Sequence, residues 1–463
     1  MSCLRKREVS EGMDRLFDVT DAISIPGTSF GEVFIQRSFA RHCLLDDGKF
    51  EEVSSSLTEG TGTRIVVGDR TYFTHSSGSD LSSAAFTISD GKKRAGLSAG
   101  SPLPKGDKSL LPLPEIEEEA PFERMRELDK MIRKLSPKVR QVSFAWSSGA
   151  RETAIAGSLN PLCRLSVFST RFSATVVVES GGSLHSGRDV RAFSLPQEEF
   201  LRSNDLEDVA REAFRRAVLL SEAKPCPAGV MPVVLAGAAG GTMIHEACGH
   251  SLEADIVLND YSSFRDCLEK QVASPLVSLV DDPTLPGLYG SYPFDGEGTL
   301  SRRTVLIRDG FLKSFLTDLL SSRQGGFPVT GNGRRSSFRH PPVPRMSNTF
   351  IMNGDGDPEE IISGVDRGLL VLKMGGGEVN STSGDFVFQV TEGYLVSKGK
   401  RSYPVRNAML TGNGPRVLMD IDAVGNDLHF DPGVCGKSGQ QVPVTDGQPT
   451  IRIRQLVVGG SRT

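Results

Sequence analysis

From Gly31 onward, apolar and polar positions follow strand spacing, not helix spacing. The run Glu32-Val33-Phe34-Ile35-Gln36-Arg37 and residues 41–45 lead into Asp46-Asp47-Gly48, a sequence suited to a hairpin turn. Residues 63–67 and 71–74 flank Gly68-Asp69-Arg70 as a second hairpin. Residues 1 to about 25 read as a short helix and lead-in.

The period changes at Pro121. Phe122, Met125, Leu128, Met131, Ile132 and Leu135 recur at helical spacing, and Ser136-Pro137 ends the run. Val142, Phe144 and Trp146 then alternate as a half-buried strand. Strands continue over 164–180 until Gly181-Gly182 breaks them. A second helix is expected over 206–223, with Val209, Ala213, Phe214, Ala217 and Leu220 on one face. Lys224-Pro225-Cys226-Pro227-Ala228-Gly229 reads as a domain boundary.

The second half opens with a buried-type strand at 231–236, a glycine-rich turn at 237–241 and a helix carrying His245. Residues 304–307 and 311–315 flank the turn Arg308-Asp309-Gly310. Asp357 caps a helix that begins at Pro358. Phe386, Phe388 and Val390 alternate, Gly412-Asn413-Gly414-Pro415 introduces a helix through about Val424, and residues 451–458 form a closing strand. The expected fold is α+β in two domains, residues 1–224 and 225–463. Antiparallel sheets dominate, with few packed helices, and the His245 helix stands at the start of the C-terminal domain.

Between these elements, residues 92–119 read as an irregular loop. It includes Lys92-Lys93-Arg94, and its acidic end, 115–119, reads as a solvated helix start. No internal repeat of fixed period is present.

Composition narrows the function classes. A chain of 463 residues suits two or three domains. A net charge of -4 disfavours a nucleic-acid binder. There is no apolar run long enough for a membrane span, and no secretory signal in MSCLRKREVSEGMDRLF. The 7 cysteines are scattered and odd in number, which suits free thiols in a reducing, cytoplasmic setting.

The concentrated chemistry lies in Gly240-Gly241-Thr242-Met243-Ile244-His245-Glu246-Ala247-Cys248-Gly249-His250. Two histidines and a glutamate fall within six residues. The zinc-protease pattern H-E-x-x-H places its histidines four apart, on one helix face. Here they are five apart, and on a regular helix they point about 140° from each other. Either they are a structural pair, or the helix is distorted. Gly249 would permit distortion through backbone angles other residues avoid, and one-turn bulges do occur at functional sites. The preceding glycines lack the ending of a phosphate-binding loop and read as room for a substrate backbone. A catalytic zinc takes three protein ligands. By residue chemistry, Glu253, Asp255, His340 and Cys435 remain open as the third, with Lys437 placed to favour a Cys435 thiolate. Cys248 reads as a buried thiol, and His42 and His75 as structural.

The segment from His245 to His250, followed by Leu252-Glu253-Ala254-Asp255, resembles the H-E-x-x-x-H segment of the TldD/PmbA metalloprotease family. Asp281-Asp282-Pro283, Asp295-Gly296-Glu297-Gly298-Thr299, Thr330-Gly331-Asn332-Gly333-Arg334-Arg335 and Pro344-Arg345-Met346-Ser347-Asn348-Thr349 resemble family blocks in the same order. So do Gly375-Gly376-Gly377, Gly412-Asn413-Gly414-Pro415 and the run from Cys435 to Thr450. The resemblance implies zinc (Zn2+) held by His245, His250 and Cys435, with Glu246 as general base. It implies a peptidase of unfolded or precursor peptides, working as a homodimer or as a heterodimer with a related subunit. No direct nucleic-acid contact is expected; the label of gyrase modulator that attaches to the family is read as indirect. The family also has a branch without the motif that serves as partner subunit. The rival expectation is therefore a catalytically silent peptide-binding subunit. His340 and Arg345 are further candidates for oxyanion stabilisation.

Overall fold

The computed structural model describes residues 16–98, 106–113, 119–160, 162–380 and 382–460. The acidic run 115–118 and the Ser/Pro-rich residues 99–105 lie outside the described residues.

Six antiparallel strands build the N-terminal sheet: β1 (Phe30–Asp46), β2 (Lys49–Val67), β3 (Arg70–Ser77), β4 (Val139–Gly157), β5 (Cys163–Ser180) and β6 (Ser183–Phe193). Their order is β3-β2-β1-β4-β5-β6. The first two turns need positive φ, which Asp47, Gly48 and Gly68 supply. Alternation sorts the two faces. Val33, Ile35, Cys43 and Leu45 of β1 and Val142, Phe144 and Trp146 of β4 face helices. These are Phe122–Leu135 and Leu206–Glu222 at one end, and Leu81–Arg94 at the other. The last of these corrects the loop expectation: Lys92, Lys93 and Arg94 form the final turn of a helix capped by Asp80. Its apolar positions are few, and its stability comes from packing on the sheet.

The opposite face of this sheet meets the C-terminal half. Arg64 on β2 pairs with Glu32 on β1 at 2.9 Å and reaches Glu297 and Asp318 of the second half, while Arg335 pairs with Glu32. All five are buried, so the charges must pair with one another.

The C-terminal half holds two larger sheets. In one, Gly229–Leu235 lies between Arg367–Val379 and Ile451–Gly459, and the order continues through Ala408–Asn413, Asp385–Ser397 and Lys400–Arg406. Arg367–Val379 also pairs with Asp385–Ser397, so these strands close on themselves. In the other, Leu279–Asp281, Asn348–Ile351, Gln440–Gln448 and His429–Lys437 follow in order, with His429–Lys437 at the edge. The helix after Gly412 ends at Asp420, because Ile421–Val424 turns extended to pair with Ile451–Gly459. Antiparallel sheets with few helices agree with the expected class.

Candidate metal centre

Of the two alternatives for the histidine pair, the helix is the distorted one. Thr242–Ile244 makes an α turn, His245–Gly249 a π turn and His250–Leu252 a 3-10 turn. The N–H of His250 donates to the carbonyl of His245. A turn closed five residues on places residues five apart on the same side. The two imidazoles therefore face each other, with ring centroids 5.0 Å apart and planes at 90°.

The reason for Gly249 differs from the expectation. Its φ of -58° and ψ of -49° are ordinary right-handed helix values. A Cβ there would lie 2.1 Å from Met346 Sδ, so the glycine is needed for space. The glycine-rich turn shows the same pattern. A Cβ on Gly241 would meet the Gly447 nitrogen at 2.5 Å, and one on Gly237 the Asp427 carbonyl at 2.5 Å. The room belongs to this chain's own backbone, not to a substrate. Gly240 combines crowding against Asp431 with a φ of 86°.

The third donor comes from an edge strand. Cys435 sits inside His429–Lys437, opposite Val442 of Gln440–Gln448. Ser438 and Gly439 take positive φ and make the turn. Cys435 Sγ lies 3.4 Å from His250 Nε2. One donor atom each from His245, His250 and Cys435 lies within 4.8 Å of the other two. The remaining alternatives are engaged with other groups. Glu253 accepts from His250 Nδ1 at 2.9 Å, and Asp255 binds Lys437. His340 keeps its Nδ1 beside the Ser336 and Ser337 hydroxyls, at 3.1 and 3.3 Å. Arg345, fully buried, donates to the Cys435 carbonyl at 2.6 Å and so fixes the strand that carries the thiol.

Sequence reasoning missed one group. Asp446 Oδ1 lies 2.7 Å from His245 Nδ1. Both histidines thus use Nδ1 on a carboxylate, which leaves Nε2 for the shared centre. No local signal marks Asp446; only its register beside Asp431 in the strand pair brings it here.

Electrostatics follow from burial and pairing. Burial pushes the Cys435 thiol up, but hydrogen bonds and charge from His245 and His250 outweigh it and bring it down to about 5. Burial lowers the His250 imidazole, while Glu253 and the thiol raise it to about 9. Burial opposes the charge on Glu253, but His250 and Lys437 hold it down at about 2. Lys437 does not act on the thiol as expected: its ammonium binds Glu253 at 2.8 Å and Asp255 at 2.7 Å. Cys248 is buried among apolar residues and pushed up to about 12, an inert thiol. Glu246 stands apart. Its side chain is 39% exposed and its carboxylate is 4.0 Å from His250 Nε2, so it lies at the open side of the trio.

Two imidazoles and a thiolate suit a borderline-soft divalent cation such as zinc, and three protein donors leave a fourth position free. Fold and donor set together define a strand-rich α+β protein with a candidate metal centre. Family models described as PmbA/TldA metallopeptidase domain 1, central domain and C-terminal domain match residues 31–95, 111–220 and 228–460. The chain belongs to the TldD/PmbA family. It is 33% identical to the "Metalloprotease TldD homolog" of Buchnera aphidicola over 99% of this chain and 98% of that one. It is 34% identical to the "Zinc metalloprotease TldD homolog" of Saccharolobus solfataricus over 55% and 57%. TldE from Thermococcus kodakarensis superposes with a TM-score of 0.76 at 18% identity, over 97% of this chain and 100% of that one; at that identity the likeness speaks for fold alone.

Proposed function

We propose that this chain is a zinc-dependent peptidase in which His245, His250 and Cys435 hold the ion and Glu246 is the general base. The convergence of these three donors within 4.8 Å beside Glu246 is the observation that supports it. Bound zinc would polarise a peptide carbonyl and make a water more acidic. Glu246 then accepts the proton of that water and returns it to the leaving amine. Asp446 and Glu253 hold the imidazole rings in orientation. A Cys435 thiolate ligand would offset part of the charge of a bound zinc, making it a weaker Lewis acid than one held by three histidines.

The substrate is an unfolded or precursor peptide, bound as an added strand. Support comes from His429–Lys437, whose outer edge has no strand partner among the described residues and which carries Cys435. Binding through backbone suits broad sequence selectivity. The family resemblance supports a dimer of like or related chains as the working unit. The six cysteines among the described residues are free, which supports a reducing cytoplasm. No helix among the described residues is long and apolar enough to cross a membrane.

The deciding experiment measures bound metal and cleavage of an unstructured peptide, with and without chelator. Glu246→Gln should keep the metal and lose about 10²–10⁴ in turnover. Full activity in that variant removes Glu246 as base; metal without cleavage, alone or with a related partner chain, leaves a peptide-binding subunit.

A further inference from the structure

A cavity of about 370 Å³ lies between the N-terminal sheet and the C-terminal half. Its apolar wall includes Phe34, Ile155, Leu165, Val167 and Phe294. Its charged lining is Arg151, Arg334, Arg335 and Asp295. Three of these four are engaged. Arg335 pairs with Glu32. Arg334 donates to the carbonyls of Pro443, at 2.7 Å, and Met346, and stacks on Tyr292. Asp295 accepts backbone N–H groups from Glu297, Thr299 and Gly333, each at 2.9 Å.

Arg151 differs. It sits on β4 between Ser38 of β1 and Val167 of β5, on the face away from the helices. Among the described residues no carboxylate pairs with it and no carbonyl accepts from it. Burial lowers its pKa and the neighbouring Arg334 charge adds to that, yet a guanidinium remains charged in proteins. A half-buried cation without a counter-charge is costly. The ligand is the natural source of the missing anion, and the fork of a guanidinium fits a carboxylate with two parallel hydrogen bonds.

Arg334 links the cavity to the strand pair that carries the donor cysteine: its guanidinium bonds the carbonyl of Pro443, next to Val442, the strand partner of Cys435, and that of Met346, whose sulfur fills the space above Gly249, and the charge of Cys435 acts on it. We infer that Arg151 anchors the C-terminal carboxylate of a peptide substrate whose last, apolar side chain lies on the Phe34–Ile155–Val167 wall. The terminal carboxylate is favoured over an acidic side chain because the wall is mostly apolar, and a terminal residue brings both groups at once. This rests on the peptidase reading for the substrate class but not for the test.

The test is binding, measured by calorimetry on the cleavage-deficient Glu246→Gln protein. Three unstructured peptides are compared: one ending in leucine as the free acid, the same peptide amidated, and an amidated peptide ending in glutamate. The free acid should bind about tenfold or more tighter than either amide. In the Arg151→Gln background, and in Arg151→Ala, that preference should vanish while the amidated leucine peptide binds unchanged. Comparing peptides on one protein separates recognition from any loss of folding. Equal affinity for acid and amide, binding of none, preference for the glutamate peptide, or a preference that survives in both Arg151 variants would each overturn the inference. Preference without cleavage by the native protein would keep it and reject the peptidase reading.

Discussion

Cys435 Sγ stands 3.4 Å from His250 Nε2, although 185 residues separate the two in sequence. The contact requires a π turn on one side and an edge strand on the other, each held by its own packing. Removing the thiol should therefore empty the centre without unfolding the strand. Cys435→Ser is expected to weaken zinc binding by more than the about 10–100-fold typical of losing an outer-shell partner, with the strand still held by Arg345. Metal analysis after dialysis against a weak chelator checks this; full retention of zinc would remove Cys435 from the donor set.

Asp446 tests the orientation of His245. Asp446→Ala leaves Nδ1 without its carboxylate, so the ring loses both orientation and basicity. Zinc affinity should fall about 10–100-fold, measured by competition with a chromophoric chelator. An unchanged affinity would make the aspartate a bystander.

Gly249 tests whether space or backbone freedom matters in the π turn. Gly249→Ala puts a Cβ against Met346 Sδ and should cost about 1–3 kcal/mol of stability. Met346→Ala in the same protein should recover part of that loss, a coupling visible in urea melts of the four proteins of the cycle. If the two losses simply add, the crowding explanation fails.

The buried cluster between the halves predicts a pH profile. Burial, joined by the charge of Glu32, pushes the Asp295 carboxyl up to about 7. The folded state then holds this proton more tightly than the unfolded chain does. The stabilisation is fully present below the ordinary carboxyl value and is lost as pH rises through about 7. Urea midpoints should decline over that window, and the decline should be smaller in Asp295→Asn. Parallel profiles for the two proteins would show that Asp295 does not carry it.

Much of the scaffold was readable from the chain because its causes are local. Asp47-Gly48 and Gly68 mark turns by the φ they must adopt, and Val142, Phe144 and Trp146 mark a buried face by alternation. The five-residue spacing of His245 and His250 already implied that a regular helix would not serve. The chain alone also pointed to Gly249, but for the wrong reason: the sulfur that crowds it belongs to Met346, which nothing in the local sequence reveals.

Cys435 emerged from family resemblance, not from residue chemistry, which left several donors tied. Asp446 and the use of Lys437 on Glu253 and Asp255 were out of reach, because strand register alone sets them. A register shift of one residue would turn Cys435 and Asp446 to the other side of their sheet. Turn chemistry and side-chain period are properties of a few neighbouring residues. The partners of a charge 200 positions away depend on how sheets close, which is why the donors could be listed from sequence but their carboxylate supports could not.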